Sequence, residues 1–147
     1  MSIKIRNTHK LERAIILFLN GIDNWELTWV GDKNLAWDAE GYTPKKKKCI
    51  ISMKFRKHYY ESKMIEVKHY NDLMAQADDI VKIYFVFDPR GNYFFWLDGI
   101  KKFNKMEKYC PQTTLWSAKK AKKEVYLLPE NLASYIHKEK TDINKFG

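Results

Sequence analysis

Trp37-Asp38-Ala39-Glu40-Gly41, followed by Lys47-Lys48-Cys49-Ile50-Ile51-Ser52-Met53-Lys54-Phe55-Arg56, is the stretch on which the fold turns. In its second piece Cys49, Ile51, Met53 and Phe55 alternate with Ile50, Ser52, Lys54 and Arg56. A two-residue period defines a strand with one apolar and one mixed face, so Ser52 and Lys54 point the same way. From Lys63 to Ala77 the period lengthens. At 100° per residue Leu73, Ala77, Tyr70, Met74 and Val67 share an arc of about 120°, which predicts an amphipathic helix. Glu66 falls inside that arc. Burial disfavours the charged form of a carboxylate, so Glu66 calls for a cationic or metal partner, and Lys54 on the preceding strand is the nearest obvious one.

Working outward, residues 8 to 20 place Leu11, Ala14, Ile15, Phe18 and Leu19 at helical spacing, with Gly21 set to end the helix. Glu12 lies at the margin of this stripe, where a solvated glutamate is the simpler reading. Trp25 to Val30 alternates as a strand before the turn Gly31-Asp32-Lys33-Asn34, and Leu35 to Ala39 predicts a second strand with Asp38 at its end. Ile80 to Phe87 is almost continuously apolar, as in a central strand covered on both faces. Asp88-Pro89-Arg90-Gly91 is a turn, and Asn92 to Leu97 returns as a hairpin partner. Val125 to Leu128 reads as a short edge strand, and Pro129 opens a last helix to about His137. The expected architecture is α/β of the α+β kind: one domain over residues 1–147, with a central mixed sheet of about five strands flanked by helices.

These residues resemble the PD-(D/E)XK nuclease superfamily, whose core runs helix, three strands, helix, strand. Asp38 matches its first acid, and Ser52-Met53-Lys54 matches its acid-x-Lys with Ser where Glu or Asp is usual. One branch of restriction endonucleases in the superfamily also carries Ser-x-Lys and takes the missing carboxylate from the following helix. Glu66 is placed much as that migrated acid would be. The wording Asp-Ala-x-Gly, a basic turn, Lys-Phe-Arg, Ile-Glu and a later Lys-x-Tyr is similar to small phage-encoded members, and the likeness covers roughly residues 8 to 98. It implies a restriction-endonuclease-like core. It also implies Mg²⁺ or Mn²⁺ held by Asp38 and Glu66 with a carbonyl near Met53. Lys54 would orient or deprotonate the water, and Ser52 would hydrogen-bond the water or Glu66. In many members an acid from the first helix approaches the metal, which gives Glu12 a second reading. The implied activity is a metal-dependent endonuclease acting on branched or foreign DNA. The alternative is a catalytically inactive protein on the same scaffold that binds DNA or blocks a host protein.

Charge points the same way as that resemblance. Lys and Arg number 27 against 18 Asp and Glu, a formal net charge of +9, which favours an anionic partner, with DNA first among candidates. Lys46 and Lys47 at a hairpin tip, Arg56 and Lys57 after the central strand, and Lys119, Lys120, Lys122 and Lys123 are the expected phosphate contacts, against the plain reading of solvated turns and surfaces. Aromatics make up 15% and hydrophobics 45% of the chain, too many for a disordered one. With two cysteines, neither a disulfide framework nor a cysteine-based zinc site is indicated. No apolar run reaches the roughly 18 residues of a spanning helix, and the first residues lack a signal peptide's apolar centre. The expectation is a soluble protein of the cytoplasm, the host's if phage-encoded, with no membrane partner and no organic cofactor. Cutting both strands of a duplex would call for a homodimer.

Overall fold

The structure, a computed structural model, describes residues 3–100, 104–111, 120–133 and 135–138. Helix α1 (Ile3–Ile22) leads into an antiparallel meander of β1 (Glu26–Trp29), β2 (Ala39–Tyr42) and β3 (Lys48–Phe55). Then come β4 (Ser62–Glu66), α2 (Val67–Met74), β5 (Val81–Asp88), β6 (Gly91–Trp96), β7 (Asn104–Pro111), β8 (Lys120–Pro129) and β9 (Tyr135–Lys138). Single 3-10 turns stand at Leu97–Gly99 and Glu130–Leu132. The protein is α+β with a mixed central sheet, ordered β1-β2-β3-β5-β6-β9, in which β3 and β5 run parallel. A second sheet is ordered β4-β8-β7.

Alternation along β3 divides the interior into two cores. Cys49, Ile51, Met53 and Phe55 face α1 and pack with Ile16, Leu19, Leu27 and Phe85. Ile50 faces the other way and joins Ile65, Leu73, Tyr84, Phe95 and Leu128 beneath α2 and the second sheet. Each fully buried side chain of this size contributes about 1.5–3 kcal/mol, so β3 and β5, covered on both faces, anchor the fold.

Helix α1 is turned by roughly a quarter relative to the expected stripe. Glu12, Ile16 and Leu19 face inward, whereas Leu11 and Phe18 are exposed. The reason is that Ile16 and Leu19 dock on the β1 to β3 surface, and one turn N-terminal to Ile16 on that same face lies Glu12.

Four further expectations are corrected. Residues 35–38 form no strand, and Asp38 stands immediately before β2 instead of at a strand's end. The span from Lys63 is a strand as far as Glu66, and the helix covers Val67–Met74 alone. Lys63 and Ile65 are buried and alternate with half-buried Ser62, Met64 and Glu66, so pairing with β8 overrides the longer period there. The helical phase holds only further on, where Leu73 is buried and Tyr70 and Met74 pack on the same core. Val125 to Leu128 belongs to β8, the middle strand of its sheet and not an edge. The helix expected after Pro129 is one 3-10 turn followed by β9, which pairs with β6 and covers an edge the central sheet would otherwise leave open.

Candidate active site

Strand pairing places Asp38. Its N–H donates to the Ile51 carbonyl at 2.9 Å, and its own carbonyl accepts the Val30 N–H at 2.9 Å, so its backbone is tied between β1 and β3. Its side chain turns to the edge of β3, where Oδ2 accepts the Met53 N–H at 2.7 Å. Glu12 arrives from α1 with 4% exposure, its Oε1 accepting the Trp29 indole N–H at 2.9 Å, and its carboxyl lies within electrostatic reach of Asp38. Burial, and then the neighbouring Glu12, push Asp38 up to about 7, against the opposing pull of the Met53 N–H, Lys54 and His9. Burial also raises Glu12.

The sign of that shift makes a prediction. A carboxyl whose folded value is raised from 3.8 to about 7 binds its proton more tightly in the folded state. Its contribution to stability is complete below about pH 4 and is lost as pH rises toward and beyond 7. In EDTA the protein should therefore melt at a lower temperature at pH 8 than at pH 5, and Asp38→Asn, which stays neutral, should lose a large part of that difference. Thermal melts at the two pH values check it; an undiminished difference in the variant would mean that Asp38 carries no such shift.

Lys54 lies on the opposite face of β3, half-buried beside Ser52. Burial, and then Arg56, hold its ammonium below the usual lysine value, while Glu66 and Asp38 act in the other direction. It therefore stands in the field of both carboxylates. Ser52 Oγ lies 2.7 Å from His69 Nε2 on the first turn of α2. Burial and then Lys54 lower His69 from 6.5, leaving a neutral imidazole at pH 7. Glu66 ends β4, and its Oε1 pairs with the Lys123 ammonium of β8 at 2.9 Å. Tyr84, buried on β5, donates its hydroxyl proton to the Met64 carbonyl at 2.8 Å and steadies this end of β4.

Of the residues expected in the site, Asp38 meets the Met53 backbone, and Lys54 lies within electrostatic reach of Glu66 and Asp38. Ser52 meets His69 rather than Glu66, and the Glu66 carboxylate is engaged by Lys123. Lys46 forms an ion pair with Glu26 across the meander. Lys47 and Lys57 are exposed, and Arg56 is half-buried with Nη2 at 3.5 Å from the Met64 carbonyl. Lys120 and Lys122 lie on β8, and Lys119 falls outside the described residues. His69 carried no signal in the sequence beyond its place on α2. Glu12 was visible, but its inward phase follows from Ile16 and Leu19, which the broader apolar stripe obscured.

No family model, curated protein or solved structure matches this chain. What the site can do rests on its own residues. Among the described residues no three His, Cys, Asp or Glu side chains group closely enough to hold an ion between them. Mg²⁺ is commonly held by one or two carboxylates and keeps several waters, so Glu12 and Asp38 would be enough as side-chain ligands of such an ion, with backbone oxygen near Met53. The pair itself fits such an ion. Two neighbouring carboxyls, one buried and one half-buried, would be relieved of their mutual repulsion by a divalent cation.

Proposed function

We propose that the chain is a metal-dependent nuclease hydrolysing DNA phosphodiesters on a restriction-endonuclease-like core. The observation that carries this reading is the convergence of Glu12 and Asp38 at the edge of β3, held by the Met53 N–H, with Lys54 the next residue along. The element order supports it: α1, the three-stranded meander, α2 and a strand parallel to β3 follow the sequence helix, three strands, helix, strand. The β4 insertion and the second sheet are additions to that plan.

Hydrolysis requires an activated water and relief of the charge that builds on the phosphate. A Mg²⁺ or Mn²⁺ ion held by Asp38 and Glu12 would lower the pKa of water and neutralise phosphate charge. Lys54, with its ammonium value depressed, can hold the attacking water by hydrogen bond and exchange a proton with it. His69 fixes Ser52, so the serine braces β3 beside Lys54. Glu66 would serve as a further acid once Lys123 turns to a phosphate. Metal-dependent cleavage of plain and branched duplexes tests the reading.

One observation favours the binding-only alternative: both groups that should replace the usual second acid are engaged, Ser52 by His69 and Glu66 by Lys123. Cleavage separates the two. The phosphate contacts are tested apart from chemistry. Each lysine that displaces counterions from duplex DNA adds about 0.9 to the slope of log affinity against log salt. Replacing Lys119, Lys120, Lys122 and Lys123 together by Ala should flatten that slope by up to about 3.6, and an unchanged slope would return these lysines to a solvated surface.

A further inference from the structure

We propose that Trp29 and Gly31 are positioning residues that aim the Glu12 carboxyl at Asp38. The inference rests on the metal-site reading above and extends it to residues that touch neither substrate nor ion.

Trp29 closes β1 opposite Ala39, the residue after Asp38, so strand register fixes its ring next to the site. The indole is gripped from α1: His9 packs edge-on at 5.1 Å between ring centroids, and the Arg13 guanidinium lies 4.8 Å above the ring. His9 and Arg13 flank Glu12 on the helix, so the grip that holds the ring also brings its N–H to Glu12 Oε1 at 2.9 Å. An indole nitrogen can only donate. It therefore ties one carboxylate oxygen and fixes the rotamer in which the carboxyl meets Asp38.

Gly31 makes room for this contact. Its φ is not positive, so the backbone there does not demand glycine. A Cβ at this position would stand 2.5 Å from both Glu12 Oε1 and Trp29 Nε1, and 2.9 Å from Trp29 Cε2. These separations are well inside van der Waals contact and fall on both partners of one hydrogen bond. A methyl group could be accommodated only by parting the indole from the carboxyl.

The chemistry asks for such support. A carboxylate beside another carboxylate is pushed to turn away, and a fixed donor on one oxygen opposes that. Outer hydrogen-bond partners of metal ligands typically account for 10–100-fold in metal affinity. Trp29 supplies that partner from a strand, a more rigid support than a loop.

The experiment is Mn²⁺ binding by titration calorimetry, without nucleic acid, to the parent, Trp29→Phe, Gly31→Ala, Glu12→Gln and the double variant Trp29→Phe with Glu12→Gln. Trp29→Phe keeps an aromatic ring at this half-buried strand end and loses the indole donor, so it should fold and bind Mn²⁺ about tenfold more weakly. Gly31→Ala should weaken binding at least as much. Adding Trp29→Phe to Glu12→Gln should bring no further loss, because Trp29 acts through Glu12. Duplex DNA affinity in EDTA should stay within about twofold of the parent, since no phosphate contact changes. Parent-like Mn²⁺ affinity in Trp29→Phe, or an equal further loss on the Glu12→Gln background, overturns the positioning role and leaves the metal site standing. A parent protein that takes up no Mn²⁺ overturns both.

Discussion

Lys63→Met should lower the stability of the folded protein by about 3–5 kcal/mol, because it leaves a buried carboxylate without its cation. The Lys63 ammonium lies 2.8 Å from Asp88, with side-chain exposures of 3% and 1%. It sits over the rings of Tyr59 and Tyr93, at 4.3 and 4.1 Å from their centroids, and also bonds the Tyr60 carbonyl. Asp88 Oδ1 accepts the N–H groups of Arg90 and Gly91, closing the β5 to β6 turn. The pair therefore fastens β4 of the second sheet to a hairpin of the central one. Methionine fills the volume of the stem and keeps contact with the rings, so what is lost is the ammonium, with its ion pair and its bond to the Tyr60 carbonyl. At 147 residues such a change corresponds to a fall in melting temperature of about 10 °C. The exposed pair Lys105–Glu124, 2.7 Å apart with both side chains 52% exposed, is the comparison. Lys105→Met should alter stability by less than about 1 kcal/mol. Urea unfolding of the three proteins measures both, and equal effects of the two substitutions would show that burial of the Lys63 pair carries no special weight.

The second large effect is chemical. Lys54→Ala removes the ammonium that lies in the field of Glu66 and Asp38, and Asp38→Ala removes the acid tied to the Met53 N–H. Loss of a group that exchanges a proton with the attacking water costs about 10²–10⁴-fold in rate. On the proposed reading Asp38→Ala should cost at least as much, since Asp38 would be a ligand of the ion. Asp38 and Lys54 are both half-buried, so neither alanine opens a large apolar cavity and the fold should survive. Single-turnover cleavage separates these losses from weaker DNA binding. Lys54→Arg should recover little, because a guanidinium keeps its charge and cannot take up a proton.

Much of this centre was legible because it lies where local pattern and tertiary packing agree. Alternation over 49–55 places Ser52 and Lys54 on one face, and the apolar run at 80–87 matches a central strand. Reading failed where a neighbour far along the chain decides the local structure. Residues 62–66 are extended because β8, about sixty residues later, pairs with them, and no property of the segment itself announces that ladder. Glu66 thus reaches the neighbourhood of Lys54 as expected, but through the end of a strand rather than the inward face of a helix. Its partner Lys123 belongs to the same remote strand. Glu12 was misjudged for a related reason: the apolar stripe of α1 is wider than the face it buries, and only contact with β1 to β3 selects the phase. The Lys63–Asp88 pair was hidden because each residue, taken alone, looks like a solvated charge near a turn.

The central claim is that Asp38, Glu12 and Lys54 form a metal-dependent phosphodiesterase centre, and the rate of cleavage of end-labelled branched and linear duplex DNA, with Mn²⁺ or in EDTA, tests it most directly. The parent should cut with Mn²⁺ and not in EDTA, and Lys54→Ala should be slower by at least a hundredfold under the same conditions. Cleavage that persists in EDTA, a parent that cuts neither duplex with Mn²⁺, or a Lys54→Ala protein as fast as the parent would contradict it.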